Sequence, residues 1–331
     1  MAVRRSTGRR RMVGLCGDPI RPIRPSVTIA PSRSAAGHLH GIIVRCAAVA
    51  CFALMTAAFK WASEDGAGSV EMLFFRGLIG VPAILAWLAA GEGVGALRTR
   101  RPGAHLFRAV LGVAAISCIF QGLIRLPMAD AVTIGFSAPA FATILSVLLL
   151  GEKVGWARWA AVALGFVGVA IVTRPEGGAL PVAGVAFALL GAAGNGAASV
   201  TIRQMGASEN SAAIAFWFLA FSLVVGAAGM VIVAQPHQPL TWAALIAGSL
   251  AGTAAQMLIT RSLQLAPVSV VVPFDYLQIL WASLLGWAIW SILPGADTLM
   301  GGALIAFSGL FTAWREHRLR RPGAAAPTPV E

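Results

Sequence analysis

The chain has 331 residues, 58% of them hydrophobic and 11% charged, with a formal net charge of +12. Soluble domains carry about 25% charged residues, and the mean hydropathy here is +0.80, so composition argues against a soluble enzyme, a secreted disulfide scaffold and a DNA-binding domain. The positive charge points to no nucleic acid: eight of the 25 cations fall in the first 33 residues and most others in alternate loops, the pattern of membrane topology and anionic lipid.

Residues 1–37 carry Arg4, Arg5, Arg9, Arg10 and Arg11, then Pro19, Pro22, Pro25 and Pro31 among Ser and Gly. No sustained apolar run interrupts them, so they form no secretory signal and read as a disordered basic arm. The composition fits a transit segment or an over-extended start with Met12 as the alternative. From residue 42 ten apolar spans follow, at 42–59, 70–90, 104–124, 130–150, 156–173, 180–200, 211–234, 241–260, 268–290 and 298–314. Turn signals separate them, among them Gly151-Glu-Lys153, Gln235-Pro-His-Gln-Pro239 and Leu293-Pro-Gly-Ala-Asp297. Most approach the ~20 residues a bilayer-spanning helix needs, and backbone groups in hydrocarbon must be satisfied within the helix. Cys16, Cys46, Cys51 and Cys118 have no metal or redox spacing, so neither a zinc site nor a disulfide framework is expected.

Loop charge sets the orientation. With the N-terminus inside, the inner loops and C-terminal tail hold 11 cations without the arm, from Arg98, Arg100 and Arg101 to Arg318, Arg320 and Arg321. The outer side holds three, Lys60, Arg125 and Arg174. Both termini are therefore expected in the cytoplasm. Shifting the chain by 139 residues places Leu126 on Leu265, Val132 on Val271 and Leu145 on Leu284. The two halves share an order of helix, turn, long helix, short turn and glycine-bearing helix. Five spans per half make the second copy enter from the opposite side. The expected fold is an all-α integral membrane protein, ten transmembrane helices in two inverted five-helix repeats at 38–176 and 177–316, with a tail at 317–331.

Two stretches carry a resemblance. One is Leu126-Pro-Met-Ala-Asp-Ala-Val-Thr-Ile-Gly-Phe-Ser-Ala-Pro139, continuing through Leu150-Gly-Glu-Lys153 and Gly165-Phe-Val-Gly168; the other is Ala266-Pro-Val-Ser-Val-Val-Val-Pro-Phe-Asp-Tyr-Leu-Gln278 with Gly301-Gly-Ala-Leu-Ile305. They resemble the fourth, fifth, ninth and tenth helices of the EamA-type branch of the drug/metabolite transporter superfamily, over about residues 42–316. His105-Leu-Phe-Arg108 adds a likeness to the subgroup of bacterial S-adenosylmethionine and riboflavin uptake carriers. Relatives of similar pattern export amino acids and other metabolites.

Ionisable groups inside spans are expensive, so each is a candidate. Asp275, about eight residues into the ninth span, reads either as a cavity carboxylate that binds a cation or carries a coupling proton, or as a structural acid paired with a neighbouring helix. Tyr276, the only tyrosine, and Gln278 could orient a polar ligand, although helical rotation keeps all three from lining one cavity. Arg76 could hold a substrate carboxylate or phosphate, or tie to Glu71. Arg108 and Arg45 read as snorkelling cations. Gln121, Asn195 and Gln256 are polar candidates set against a role as interhelical glue, and Phe136 is a candidate for stacking on a planar ligand. Pro139 and Pro273 interrupt long helices and are candidate hinges.

No Walker A, HExxH or nucleophile-base set occurs, so neither an enzyme nor a cofactor is expected. The function expected is secondary transport of a small polar organic metabolite across the bacterial inner membrane, driven by a proton or ion gradient, by exchange or by facilitation, in a monomer or homodimer. Uptake of an S-adenosylmethionine-like or riboflavin-like solute leads. Export of amino acids or a related metabolite is the alternative, and a membrane scaffold or membrane enzyme a remote one.

Overall fold

The computed structural model describes residues 35–91, 93–99, 101–152, 154–173, 180–205 and 209–319. Among these, every regular element is helical: α1 (Ala35–Glu64), α2 (Ser69–Ala90), α3 (Pro102–Arg125), α4 (Met128–Gly135), α5 (Ala138–Leu150), α6 (Trp156–Val172), α7 (Val182–Met205), α8 (Ser211–Val233), α9 (Pro239–Leu265), α10 (Val268–Val271), α11 (Leu277–Trp290) and α12 (Ala296–Leu319). Among the described residues nine apolar stretches are long enough to cross a membrane, α4 with α5 and the run Val272–Trp290 counting as one each, and α6 is a shorter tenth of 17 residues. Ten crossings bring the first and last helix ends to one side, the tail end; the opposite side is the far end.

Several helices outrun the apolar runs that announce them: α1 begins at Ala35, α7 ends at Met205 and α9 at Leu265. Hydropathy marks only the hydrocarbon thickness, whereas helical hydrogen bonding continues into the interface. Residues 35–37 of the expected arm therefore belong to α1. The rest of the arm lies outside the described residues, as do Arg100, Lys153, Arg174, Arg320 and Arg321.

Local chemistry fixes the helix ends. The Gly68 N–H donates to Glu71 Oε2 at 2.7 Å to open α2, and the Ala212 N–H donates to Asn210 Oδ1 at 2.8 Å to open α8. Gly151, at φ 64, closes α5 in the left-handed region.

Helix packing has the symmetry of the repeat. The first span packs on the eighth (α1 on α9) and the third on the sixth (α3 on α7); the second pairs with the seventh (α2 on α8) and the fifth with the tenth (α6 on α12). The fourth packs on the sixth (α4 and α5 on α7), and the ninth on the first (α11 on α1). Advancing every span by five maps this set of pairs onto itself, as two five-helix halves of opposite orientation require. Small residues allow the close approach: a Cβ on Gly168 would stand 2.7 Å from the Gly301 oxygen across α6 and α12.

The two prolines mark real breaks. α4 stops at Gly135 and α5 resumes at Ala138 with Pro139 in its first turn. In the ninth span Val272–Tyr276, which contains Pro273, winds as a 3-10 helix between α10 and α11. The 139-residue shift puts 136–137 on 275–276, so the discontinuities occupy corresponding places in the two halves. Proline removes a backbone donor and clashes with the preceding turn, and the helix yields there.

An apolar cluster fills the far half of the bundle. Phe59, Met72, Phe120, Leu123, Met128 and Leu245 are at most 3% exposed, and the Phe59 and Phe120 rings meet edge to face at 5.3 Å. Polar groups close the end beyond it. His237 Nε2 lies 2.8 Å from Glu71 Oε1, and Asp65 Oδ2 accepts from the Thr241 hydroxyl at 2.7 Å and the Gln238 N–H at 3.0 Å. Those bonds, Thr241 first and then Gln238, hold the Asp65 carboxyl below its ordinary value.

Candidate functional site

The site is a cavity of about 1190 Å³ between the two halves. Its walls come from the middle and tail-end portions of the spans, with Gln256, Thr260 and Gln264 on α9, Ser308 and Thr312 on α12, and Asn210 before α8. Its floor is the apolar cluster, to which Met55, Phe120 and Leu123 belong. The cavity is thus directed to the tail end and stopped on the far side.

Both helix breaks lie on the wall, through Gly135, Phe136 and Ser137 from one half and Val272, Pro273 and Tyr276 from the other. The Phe136 and Tyr276 rings meet there, centroids 4.9 Å apart and planes inclined by 32°. A carbonyl or N–H released at such a break faces the cavity rather than lipid, which is what makes irregular backbone tolerable at membrane depth.

Of the sequence candidates, the structure brings Arg76, Phe136, Asn195, Gln256, Tyr276 and Gln278 to this one cavity. Asp275 is not among its lining residues. Arg45 grips it with two charge-assisted bonds, Nε to Oδ1 at 2.6 Å and Nη2 to Oδ2 at 2.5 Å, and the Arg45 side chain is 7% exposed against 27% for Asp275. The paired-acid alternative is the one this geometry fits, and Arg45 is no snorkelling cation. The 3-10 winding turns about 120° per residue, carrying Tyr276 to the wall while Asp275 points to α1. Gln121 is off the wall too: its Nε2 donates to Ser69 Oγ at 2.8 Å, and its side chain accepts from Arg125.

Arg76 does not tie to Glu71, whose carboxylate is taken by the Gly68 N–H and His237. Arg76 is 8% exposed and lines the cavity with Arg108 from α3. Their guanidinium carbons lie 6.0 Å and 4.9 Å from the centroid of the same ring, Phe218 of α8. Nε and Nη1 of Arg108 are buried without a hydrogen-bond partner, so this residue does not snorkel. A Cβ on Gly112, one turn along α3, would run into Arg108 Nη1 and stand 2.8 Å from Phe218. The bare glycine is what lets the guanidinium fold inward. Sequence reasoning missed this, although an Arg followed by Gly four residues later puts the space on the Arg's own helix face.

Residues 39–174 match the description "EamA-like transporter family". The chain is 28% identical over 306 residues to a riboflavin transporter of Rhizobium johnstonii, covering 90% of this chain and 98% of the relative. It is 29% identical over 269 residues to a pseudopaline exporter of Pseudomonas aeruginosa, covering 80% and 93%. A third relative, an S-adenosylmethionine uptake transporter of Rickettsia bellii, is 25% identical over 266 residues, covering 76% and 85%. One solved crystal structure superposes with a TM-score of 0.59 at 20% identity, covering 85% of this chain and 99% of its own. At that identity the match speaks for the fold alone.

Proposed function

Because the chain belongs to the EamA-like transporter family, with residues 39–174 as the matching segment, we propose that this small-molecule transporter carries a polar organic metabolite across the bacterial inner membrane by secondary transport, taking up an S-adenosylmethionine-like or riboflavin-like solute. The observation that carries the reading is the cavity itself, directed to one end of the bundle and stopped at the other by the Phe59–Phe120 cluster. That is one half of an alternating-access cycle. Its other half separates the far-end contacts of Asp65, Glu71, His237 and Thr241 while the tail end closes, with the breaks near Pro139 and Pro273 absorbing the change. Phe136 and Tyr276 flank the solute, and Asn195, Gln256 and Gln278 hydrogen-bond it. The proposed repeats run 38–176 and 177–316, and the excess of inner-loop cations supports a cytoplasmic tail end. With no nucleotide motif, transport runs on an ion gradient, by exchange or by facilitation.

Export is the second reading, favoured by the likeness to the pseudopaline exporter and by a cavity facing the proposed cytoplasmic side. Right-side-out and inverted vesicles incubated in radiolabelled riboflavin or S-adenosylmethionine separate the two. Uptake by right-side-out vesicles supports import. Accumulation only in inverted vesicles supports export, and no movement in either contradicts the substrate assignment.

A further inference from the structure

The charge of the cavity wall is one-sided. Among the described residues that line it, the charged side chains are Arg76 and Arg108; no Asp or Glu is among them. Both guanidiniums share the Phe218 ring, so two like charges stand at one aromatic side chain with no counter-ion among the described residues. Neither makes a hydrogen bond to another described residue, and two of the Arg108 nitrogens are buried and unpartnered. Contact with a ring offsets only part of the cost of desolvating a guanidinium. Two such groups kept together at membrane depth mark a place where a negative charge is received.

From this we infer that Arg76 and Arg108 are an anion-binding site, and that the transported solute carries a carboxylate or phosphate on a flat or apolar body that packs against Phe218. The inference rests on the transport reading and narrows its substrate class. A guanidinium offers a planar fork of donors matched to two oxygens of a carboxylate or phosphate, and the pair can hold one anion from two sides. Arg76 lies 14 residues before the tail-side end of α2 at Ala90, about 21 Å along a helix, whereas Arg108 lies six residues, about 9 Å, after the tail-side start of α3 at Pro102, so competition with a soluble lipid, rather than depth, separates a solute from a headgroup. The net positive wall also disfavours a solute whose only charge is positive.

The test uses the purified full chain in detergent at low salt, with two matched pairs, riboflavin 5′-phosphate against riboflavin and 3-phenylpropionate against its amide. Equilibrium dialysis gives Kd, and thermal unfolding gives the stability of each variant. In the wild type the anionic member should bind on the order of tenfold more tightly in at least one pair. That preference should fall to about twofold or less in Arg76→Gln and Arg108→Gln and persist in part in Arg108→Lys. Without ligand the Gln variants should melt no lower than the wild type, because each removes an uncompensated charge; a structural tie would make them melt lower. Equal binding of the anionic and neutral members in both pairs, absence of binding in both, or a preference that survives the Gln substitutions overturns the site. So does competition by dihexanoylphosphatidylglycerol at an affinity equal to or tighter than that of the acids, which assigns the guanidiniums to lipid. Transport in vesicles is scored separately: a protein that moves the neutral solute as fast as its anionic counterpart keeps the transport reading and loses the anion site.

Discussion

Removing the Asp275 carboxylate should act on this protein mainly through Arg45. The two groups form a bidentate pair at 2.5 and 2.6 Å, with Arg45 7% exposed and Asp275 27% exposed. Breaking a fully buried pair by deleting one partner costs about 3–5 kcal/mol, because the other charge stays desolvated. Asp275 is only partly buried, and Ser262 Oγ at 3.5 Å gives Arg45 some residual help. Asp275→Asn should therefore cost about 2–4 kcal/mol, a fall in melting temperature on the order of 5–10 °C. Replacing both partners, as in Arg45→Met with Asp275→Leu, removes both charges together and should restore most of that loss. Heating the detergent-solubilised variants and following the folded fraction by size-exclusion chromatography reads the effect. Transport per folded molecule, measured alongside, should recover with the double substitution. An Asp275→Asn protein that melts like the wild type yet fails to transport, with no recovery in the double variant, would refute this reasoning. The carboxylate would then act in the cycle itself, as a proton carrier or a ligand.

Two further outcomes follow from the packing and the far-end contacts. Gly168→Leu should lower stability by about 1–3 kcal/mol or more, since its Cβ would meet the Gly301 oxygen at 2.7 Å and Ile305 Cγ1 at 2.8 Å; Gly135→Ala, with open space around its Cβ, is the control, and equal melting temperatures would contradict the close α6–α12 contact. Asp65 has a folded-state pKa below its ordinary 3.8, so its contribution to stability is present above that value and is lost as pH falls through the lower folded pKa. Asp65→Asn should melt lower than the wild type at pH 7, with the gap closing only under acid conditions; a gap that does not change with pH would contradict it.

The sequence disclosed what local chemistry decides. Ten apolar runs announce ten spans because hydrocarbon thickness sets their length, and Pro139 and Pro273 announce the two breaks because proline acts on its own helical turn. The helix ends were less legible, since α1 and α9 carry polar residues into the interface without losing their hydrogen bonds. Side-chain partners were the least legible. Arg45 and Asp275 are 230 residues apart, and nothing in either neighbourhood names the other. Arg108 had the sequence position of a snorkelling cation; what turns it inward is the space over Gly112 and the Phe218 ring from another helix. Glu71 stands five residues from Arg76, about 140° round α2, and the end of α2 and His237 claim its carboxylate.

The central claim is a solute cavity reached from the tail end and sealed from the far end, and cysteine accessibility tests it most directly. With Cys16, Cys46, Cys51 and Cys118 replaced by Ser, Thr260→Cys puts a thiol on the cavity wall and Met72→Cys puts one in the apolar seal. A hydrophilic, membrane-impermeant maleimide is added to vesicles of either orientation. The account predicts that Thr260→Cys reacts only when the reagent reaches the tail end, while Met72→Cys reacts on the order of tenfold more slowly from either face, as an opening-limited site would. Labelling of Thr260→Cys from the far end, or equal rates at the two positions, would contradict it.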